Sequence, residues 1–263
     1  MTLRLVQAGA GPARDVVIVY HLGAAADPDV AEAIGPGACI LNETVPQTEI
    51  GTYTSLGPGG ISTVAAAVGW AQGETGAFTP HKLLLAGFSA GSMALRTQLL
   101  AGIDPDAIVV ADGIQSPRTD TTAWMAPWVH YVEEAAKGEH VLIASHSTQG
   151  QTNLYNTTET LRLVTGFALD KTGPPDAPVV SQEKALIVLS YSGNDHHAQG
   201  YAVLPKMLGL AMGFLSKSPS VPPPPPISTV LPTPLAASSS PWPIVIGIAG
   251  TLLLGTLIAR ASR

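Results

Sequence analysis

The chain has 263 residues, with 13 Lys and Arg against 19 Asp and Glu, a formal charge of −6 and one cysteine, Cys39. Apolar residues make up 46% and charged residues 12%, so most of the chain has ample apolar surface to bury and is not intrinsically disordered. There is no basic stripe for nucleic acid, and a lone cysteine excludes a disulfide framework and any multi-cysteine zinc site.

The N-terminal residues 1–7 lack a basic segment followed by an apolar one, so no signal peptide is read there. Residues 15–20 are short, apolar and mostly β-branched, which predicts a buried strand, and 38–41 predict a second. A helix is predicted over 61–71, capped by Ser62 or Thr63, and a strand over 82–86. A helix over 92–101 ends at Gly102, and a strand follows at 107–111. Residues 124–136 predict a helix stopped by Lys137-Gly138, 140–144 a strand and 158–169 a helix. The last strand is predicted at 185–189 and the last helix at 199–215, where Pro205 marks a kink or a late start. Apolar strands separated by single helices imply an α/β domain: a doubly wound, mostly parallel sheet with helices on both faces.

This folded domain is expected to span residues 1–216. From 217 to 242 the chain is rich in Ser, Pro and Thr, with consecutive prolines from Pro222 to Pro226, which predicts an extended spacer. Residues 243–259 carry no charge, and Trp242 stands at their entrance; they predict a C-terminal transmembrane helix at the short end of the range that spans a bilayer. A basic tail, 260–263, carries Arg260 and Arg263. The reading is of a single-pass membrane anchor with the folded domain on the cytoplasmic side, although the arginines beyond the span favour the opposite orientation.

In a doubly wound sheet ligands bind at the carboxyl ends of the strands. After the strand at 82–86 comes Gly87-Phe88-Ser89-Ala90-Gly91, a G-x-S-x-G between strand and helix. A serine on so tight a turn needs small neighbours two residues away, and the turn projects the Ser89 hydroxyl above the sheet. It also aims the Ala90 N–H at a developing oxyanion. A serine nucleophile needs a base, and after the last strand stand Gly193-Asn194-Asp195-His196-His197. His196 is preferred, because His197 lines up at helical spacing with Tyr201, Leu204, Leu208 and Ala211 as a core neighbour. For the acid, Asp112 follows the strand at 107–111, with an Asx turn or helix cap as its other role. Asp195, Asp170 and Asp176 are rivals. His146, after the next strand, borders the pocket or is structural. The second oxyanion donor is expected in the loop after the strand at 15–20, from the N–H of Leu22 or Gly23, with His21 shaping that loop.

Ser89 on a strand–turn–helix, Asp112 after the next strand and His196 after the last resemble the alpha/beta-hydrolase superfamily in its lipase/esterase branch. The resemblance covers residues 3–216 and implies hydrolysis of an ester, thioester or related acyl bond without metal or organic cofactor. Its placement of the acid resembles that of some lipases, and His21-Leu22-Gly23 departs from the fuller HGGG pattern. A membrane tether would suit an acyl lipid or envelope ester as partner, and the aromatic segment 124–131 is either an acyl-pocket lining or ordinary core. The alternatives are a non-catalytic binding or scaffold protein with the same fold, or a peptidase of the superfamily. A GDSL-type hydrolase would draw only on Gly193-Asn194-Asp195, and the chain lacks the Gly-Asp-Ser that type carries near its N-terminus.

Overall fold

The structure is a computed structural model and describes residues 2–45, 47–115, 121–147, 157–193 and 195–217. In chain order these form β1 (Thr2–Gln7), β2 (Ala13–Tyr20), α1 (Asp27–Ile34), β3 (Cys39–Thr44), α2 (Val64–Thr75), β4 (Thr79–Phe88), α3 (Gly91–Leu100) and β5 (Ala107–Ala111). There follow α4 (Thr121–Lys137), β6 (Val141–Ser147), α5 (Thr157–Thr165), β7 (Val179–Glu183), β8 (Leu186–Tyr191), the single turn α6 (His196–Ala198) and α7 (Leu204–Leu215).

The strands make one eight-stranded sheet in the order β1-β3-β2-β4-β5-β6-β8-β7. Pairing is parallel from β3 through β8, and only the edge strands β1 and β7 run antiparallel. This is the doubly wound, mostly parallel sheet that the sequence predicts. The central strands are apolar on both faces because both are covered. Along β2, Val16, Ile18 and Tyr20 enter one core with α2, α3, α4 and α5, while Val17 and Val19 enter the other with α1 and α7. Each fully buried Val, Leu or Ile contributes about 1.5–3 kcal/mol relative to exposure. Trp128 and Tyr131 lie in the first core, so the aromatic segment of α4 is largely packing.

Several boundaries move for local reasons. Helix α2 starts at Val64 because the Thr63 side chain accepts the Ala66 N–H at 3.1 Å. Helix α5 stops at Thr165, short of the predicted end, where Gly166 turns the chain at φ 72°. The predicted helix 199–215 divides: Gln199–Val203 form a wide π-turn, and Pro205 sits in the first turn of α7, where no N–H is needed. Strands β1 and β7 and helix α1 were not anticipated.

The chain divides into two units, Met1–Val221 and Pro222–Arg263. The predicted linker from residue 218 onward, the predicted span 243–259 and the tail 260–263 lie outside the described residues. Among the described residues no helix is long and apolar enough to cross a membrane.

The connections out of β2 and β4 diverge. From β2 the chain passes through α1 on one face to β3; from β4 it passes through α3 on the other face to β5. The crevice between these neighbouring strands is the topological switch point of the sheet. Helix α3 begins hard against β2: a Cβ on Gly91 would lie 2.4 Å from the Tyr20 carbonyl oxygen. Gly91→Ala is therefore expected to lose about 2 kcal/mol or more of stability, read as a lower urea midpoint with unchanged slope; a midpoint equal to wild type would contradict this packing.

Candidate active site

Strand β4 delivers the chain into the turn at residues 87–91. Ser89 takes φ 51°, the left-handed region that costs a non-glycine residue about 1–3 kcal/mol. Its N–H donates to the Ala111 carbonyl at 3.1 Å, tying the turn to β5. A Cβ on Gly87 would stand 2.8 Å from the Gly91 carbonyl carbon, so neither glycine of the motif has room for a side chain. The spacing read in the sequence thus has a steric origin.

The Ser89 hydroxyl lies 2.7 Å from His196 Nε2, and His196 Nδ1 lies 2.8 Å from Asp112 Oδ2. A carboxylate accepts, so Nδ1 carries the imidazole proton and Nε2 is left to accept from the serine. Asp112 is 2% exposed and has φ 44°. Its N–H donates to the Ser145 carbonyl at 3.0 Å, and its Oδ2 also accepts from Ser147 Oγ at 3.2 Å. Oδ1 has no hydrogen-bond partner among the described residues. The constellation pairs a hydroxyl with a proton acceptor, and that acceptor with a buried carboxylate; it is able to move the serine proton.

His196 is set by its own turn. The Asp195 side chain accepts the Ala198 N–H at 2.7 Å and caps α6, so this rival acid is a helix cap. The Phe88 ring lies 4.7 Å from the His196 ring, and the close approach of Phe88 requires Gly200, where a Cβ would meet the ring at 2.7 Å. His197 is exposed, its ring 6.2 Å from that of His196. It joins neither Ser89 nor the core. The expected helical stripe with Leu204, Leu208 and Ala211 fails because the π-turn shifts the phase between them. Asp170 and Asp176 are exposed, and Asp170 stands 3.9 Å from Arg162.

Of the expected oxyanion groups, Ala90 directly follows Ser89 and is the N-cap of α3. Leu22 is fully buried, and its carbonyl accepts from Asn42 Nδ2 at 3.1 Å and Thr44 Oγ1 at 3.0 Å. Gly23 caps the short turn Ala24–Ala26, and a Cβ there would stand 2.5 Å from the Tyr201 hydroxyl. The loop is thus pinned across the switch crevice from Ser89.

Two neighbours of the constellation carry no motif of their own in the sequence. Ser147 supports Asp112, and Gln199 Oε1 accepts from Ser145 Oγ at 2.6 Å beneath the His196 turn. The signal for Ser147 was the unbroken polar run Ser145-His146-Ser147 at the carboxyl end of a buried strand. His146 is fully buried, with Nε2 at 2.9 Å from Ser190 Oγ and Nδ1 at 3.0 Å from Thr158 Oγ1. Burial holds its pKa below the usual value, against the pull of Asp112. Its role is structural. Among the described residues no cluster of His, Cys, Asp and Glu is arranged to hold a metal ion.

No protein-family model matches the chain, and no curated protein matches it in sequence. Solved structures similar to it include an acetyl xylan esterase from Aspergillus awamori, at 14% identity over 81% of this chain and 100% of that one, with TM-score 0.47. A siderophore hydrolase, EstB, from Aspergillus nidulans shares 12% identity over 80% of this chain and 85% of that one, with TM-score 0.48. The protein TT1662 from Thermus thermophilus shares 13% over 82% and 98%, with TM-score 0.43. At such scores and identities these likenesses carry no inference about chemistry, which rests on the geometry above.

The buried His146 makes stability pH-dependent. Its folded pKa is lowered, so its contribution is complete above the unfolded value of about 6.5 and is lost as pH falls below it, where only the unfolded chain takes the proton. Urea midpoints from pH 7 to pH 5 should fall more steeply for wild type than for His146→Gln; parallel curves would contradict a neutral buried imidazole.

Proposed function

We propose that the protein is a serine hydrolase that cleaves a carboxylic ester or a related acyl bond. The reading is carried by one observation: a serine on a left-handed strand-to-helix turn lies 2.7 Å from an imidazole whose other nitrogen lies 2.8 Å from a buried carboxylate. Side chains separated by 84 and 107 positions in sequence converge there at the carboxyl ends of the strands.

In the proposed reaction Ser89 Oγ attacks the acyl carbon while His196 Nε2 takes the hydroxyl proton, and Asp112 steadies the imidazolium that forms. The carbonyl oxygen becomes an oxyanion, held by the N–H of Ala90 and that of Leu22 or Gly23. As the tetrahedral intermediate collapses, the bond to the leaving alcohol or thiol breaks and His196 returns its proton to that group. The acyl chain remains on Ser89. Water, deprotonated by His196, then attacks the acyl-enzyme; the acid leaves and Ser89 regains its proton. The step balances within substrate, water and these residues.

The same reading holds the domain to a membrane through the predicted span 243–259, with the folded part on the cytoplasmic side and an acyl lipid or envelope ester as substrate. Its physical basis is the uncharged run behind a proline spacer.

Hydrolysis of p-nitrophenyl esters of increasing acyl length by the full chain tests the activity. Ser89→Ala should reduce turnover by about 10⁴-fold or more, and Asp112→Asn, which leaves His196 in the wrong tautomer, by about 10³–10⁴-fold. Turnover undiminished in Ser89→Ala would overturn the reading. A folded wild-type chain inert to every ester would point to a binding protein or a peptidase.

A further inference from the structure

The crevice at the switch point has two lips. Ser89 follows β4, and His21 follows β2, where Tyr20 is paired beside Gly87. His21 takes φ 61°, a left-handed conformation that glycine or asparagine would adopt with less strain. The imidazole is nevertheless held firmly. Its ring stacks on Phe88 at 6.3 Å and 27°, and Tyr53 meets it edge-on at 5.4 Å. Gly91 leaves room for it, since a Cβ there would lie 3.2 Å from the His21 Cβ.

Tyr53 determines which nitrogen carries the proton. It is fully buried, and its hydroxyl oxygen accepts the Val45 N–H at 3.1 Å. That hydroxyl lies 3.1 Å from His21 Nδ1, the acceptor its own proton reaches among the described residues. Nδ1 therefore accepts, and the ring proton sits on Nε2. Burial lowers the His21 pKa, and the nearby His196 imidazole lowers it further, so the ring stays neutral. Nε2 diverges from the Tyr53 side and has no partner among the described residues.

We infer that His21 is a side-chain hydrogen-bond donor of the site, its Nε2–H directed at the acyl oxygen of a substrate lying in the crevice between β2 and β4. The inference rests on the hydrolase reading above. A neutral imidazole suits the task, because it stabilises developing negative charge without surrendering a proton that the Ser89–His196 pair must manage. The role differs from loop shaping, which any residue tolerant of the backbone angle would fill.

His21→Asn separates the two roles. Asparagine tolerates a left-handed backbone, and its amide oxygen can accept from Tyr53, but it has no donor where Nε2 stood. On p-nitrophenyl acetate the full-length His21→Asn protein should lose about 10²–10³-fold in kcat with KM little changed. His21→Gln, whose amide nitrogen reaches the position of Nε2, should recover part of the loss. In wild type, nitrogen-15 spectra of labelled histidine should show the His21 proton on Nε2; this readout needs no variant to fold. A kcat near wild type in His21→Asn, or a proton on Nδ1, would overturn the donor role while leaving the hydrolase reading intact. No ester turnover by wild type would instead remove the hydrolase reading and, with it, the role assigned to His21.

Discussion

At the passage from β4 into α3, neither Gly87 nor Gly91 has space for a side chain, and the rest of the site is arranged around that restriction. Gly91 abuts the β2 carbonyl, Gly87 abuts Gly91, and Ser89 between them is forced to φ 51°. The strain, about 1–3 kcal/mol, persists because the parallel pairing of β4 with β2 and β5 leaves the turn no alternative path. One result is a hydroxyl held above the sheet at the switch crevice, within 2.7 Å of His196.

Asp112 is supported from below by a buried polar layer at the carboxyl ends of β5, β6 and β8. Ser147 donates to Asp112, Ser145 to Gln199, and His146 bridges Ser190 and Thr158. Each of these side chains would be costly to bury alone; together they pair one another, leaving Asp112 Oδ1 and Gln199 Nε2 without a partner among the described residues. They also fix Asp112 directly, and the His196 turn through Gln199. The His196 imidazole is thus located by packing of Phe88 against Gly200 on one side and by this layer on the other.

Much of this was legible from the residues alone. The strands at β2, β4, β5, β6 and β8 announce themselves as apolar runs, and Ser89, Asp112 and His196 come after three of them. Ser89 and Asp112 follow from that rule, and His196 follows from its place after the last strand. Edge strands β1 and β7 were harder to see, because half-exposed residues blur the apolar signal. Helix α1 carries Pro28 in its first turn and buries only Val30 and Ile34, a short apolar stripe that marks a helix weakly. His197 is exposed and not in the core, because a π-turn carries no mark in sequence and resets the helical phase. Ser147 and Gln199 act across 35 and 54 positions, a proximity no local pattern encodes.

The central claim is that the Ser89 oxygen is a nucleophile made reactive by His196. Treatment of the native full-length chain with a fluorophosphonate, followed by peptide mapping, tests it most directly. The account predicts one covalent adduct, on Ser89, that does not form after unfolding or in His196→Ala. A native chain left unmodified, or modified on a different residue, would contradict it.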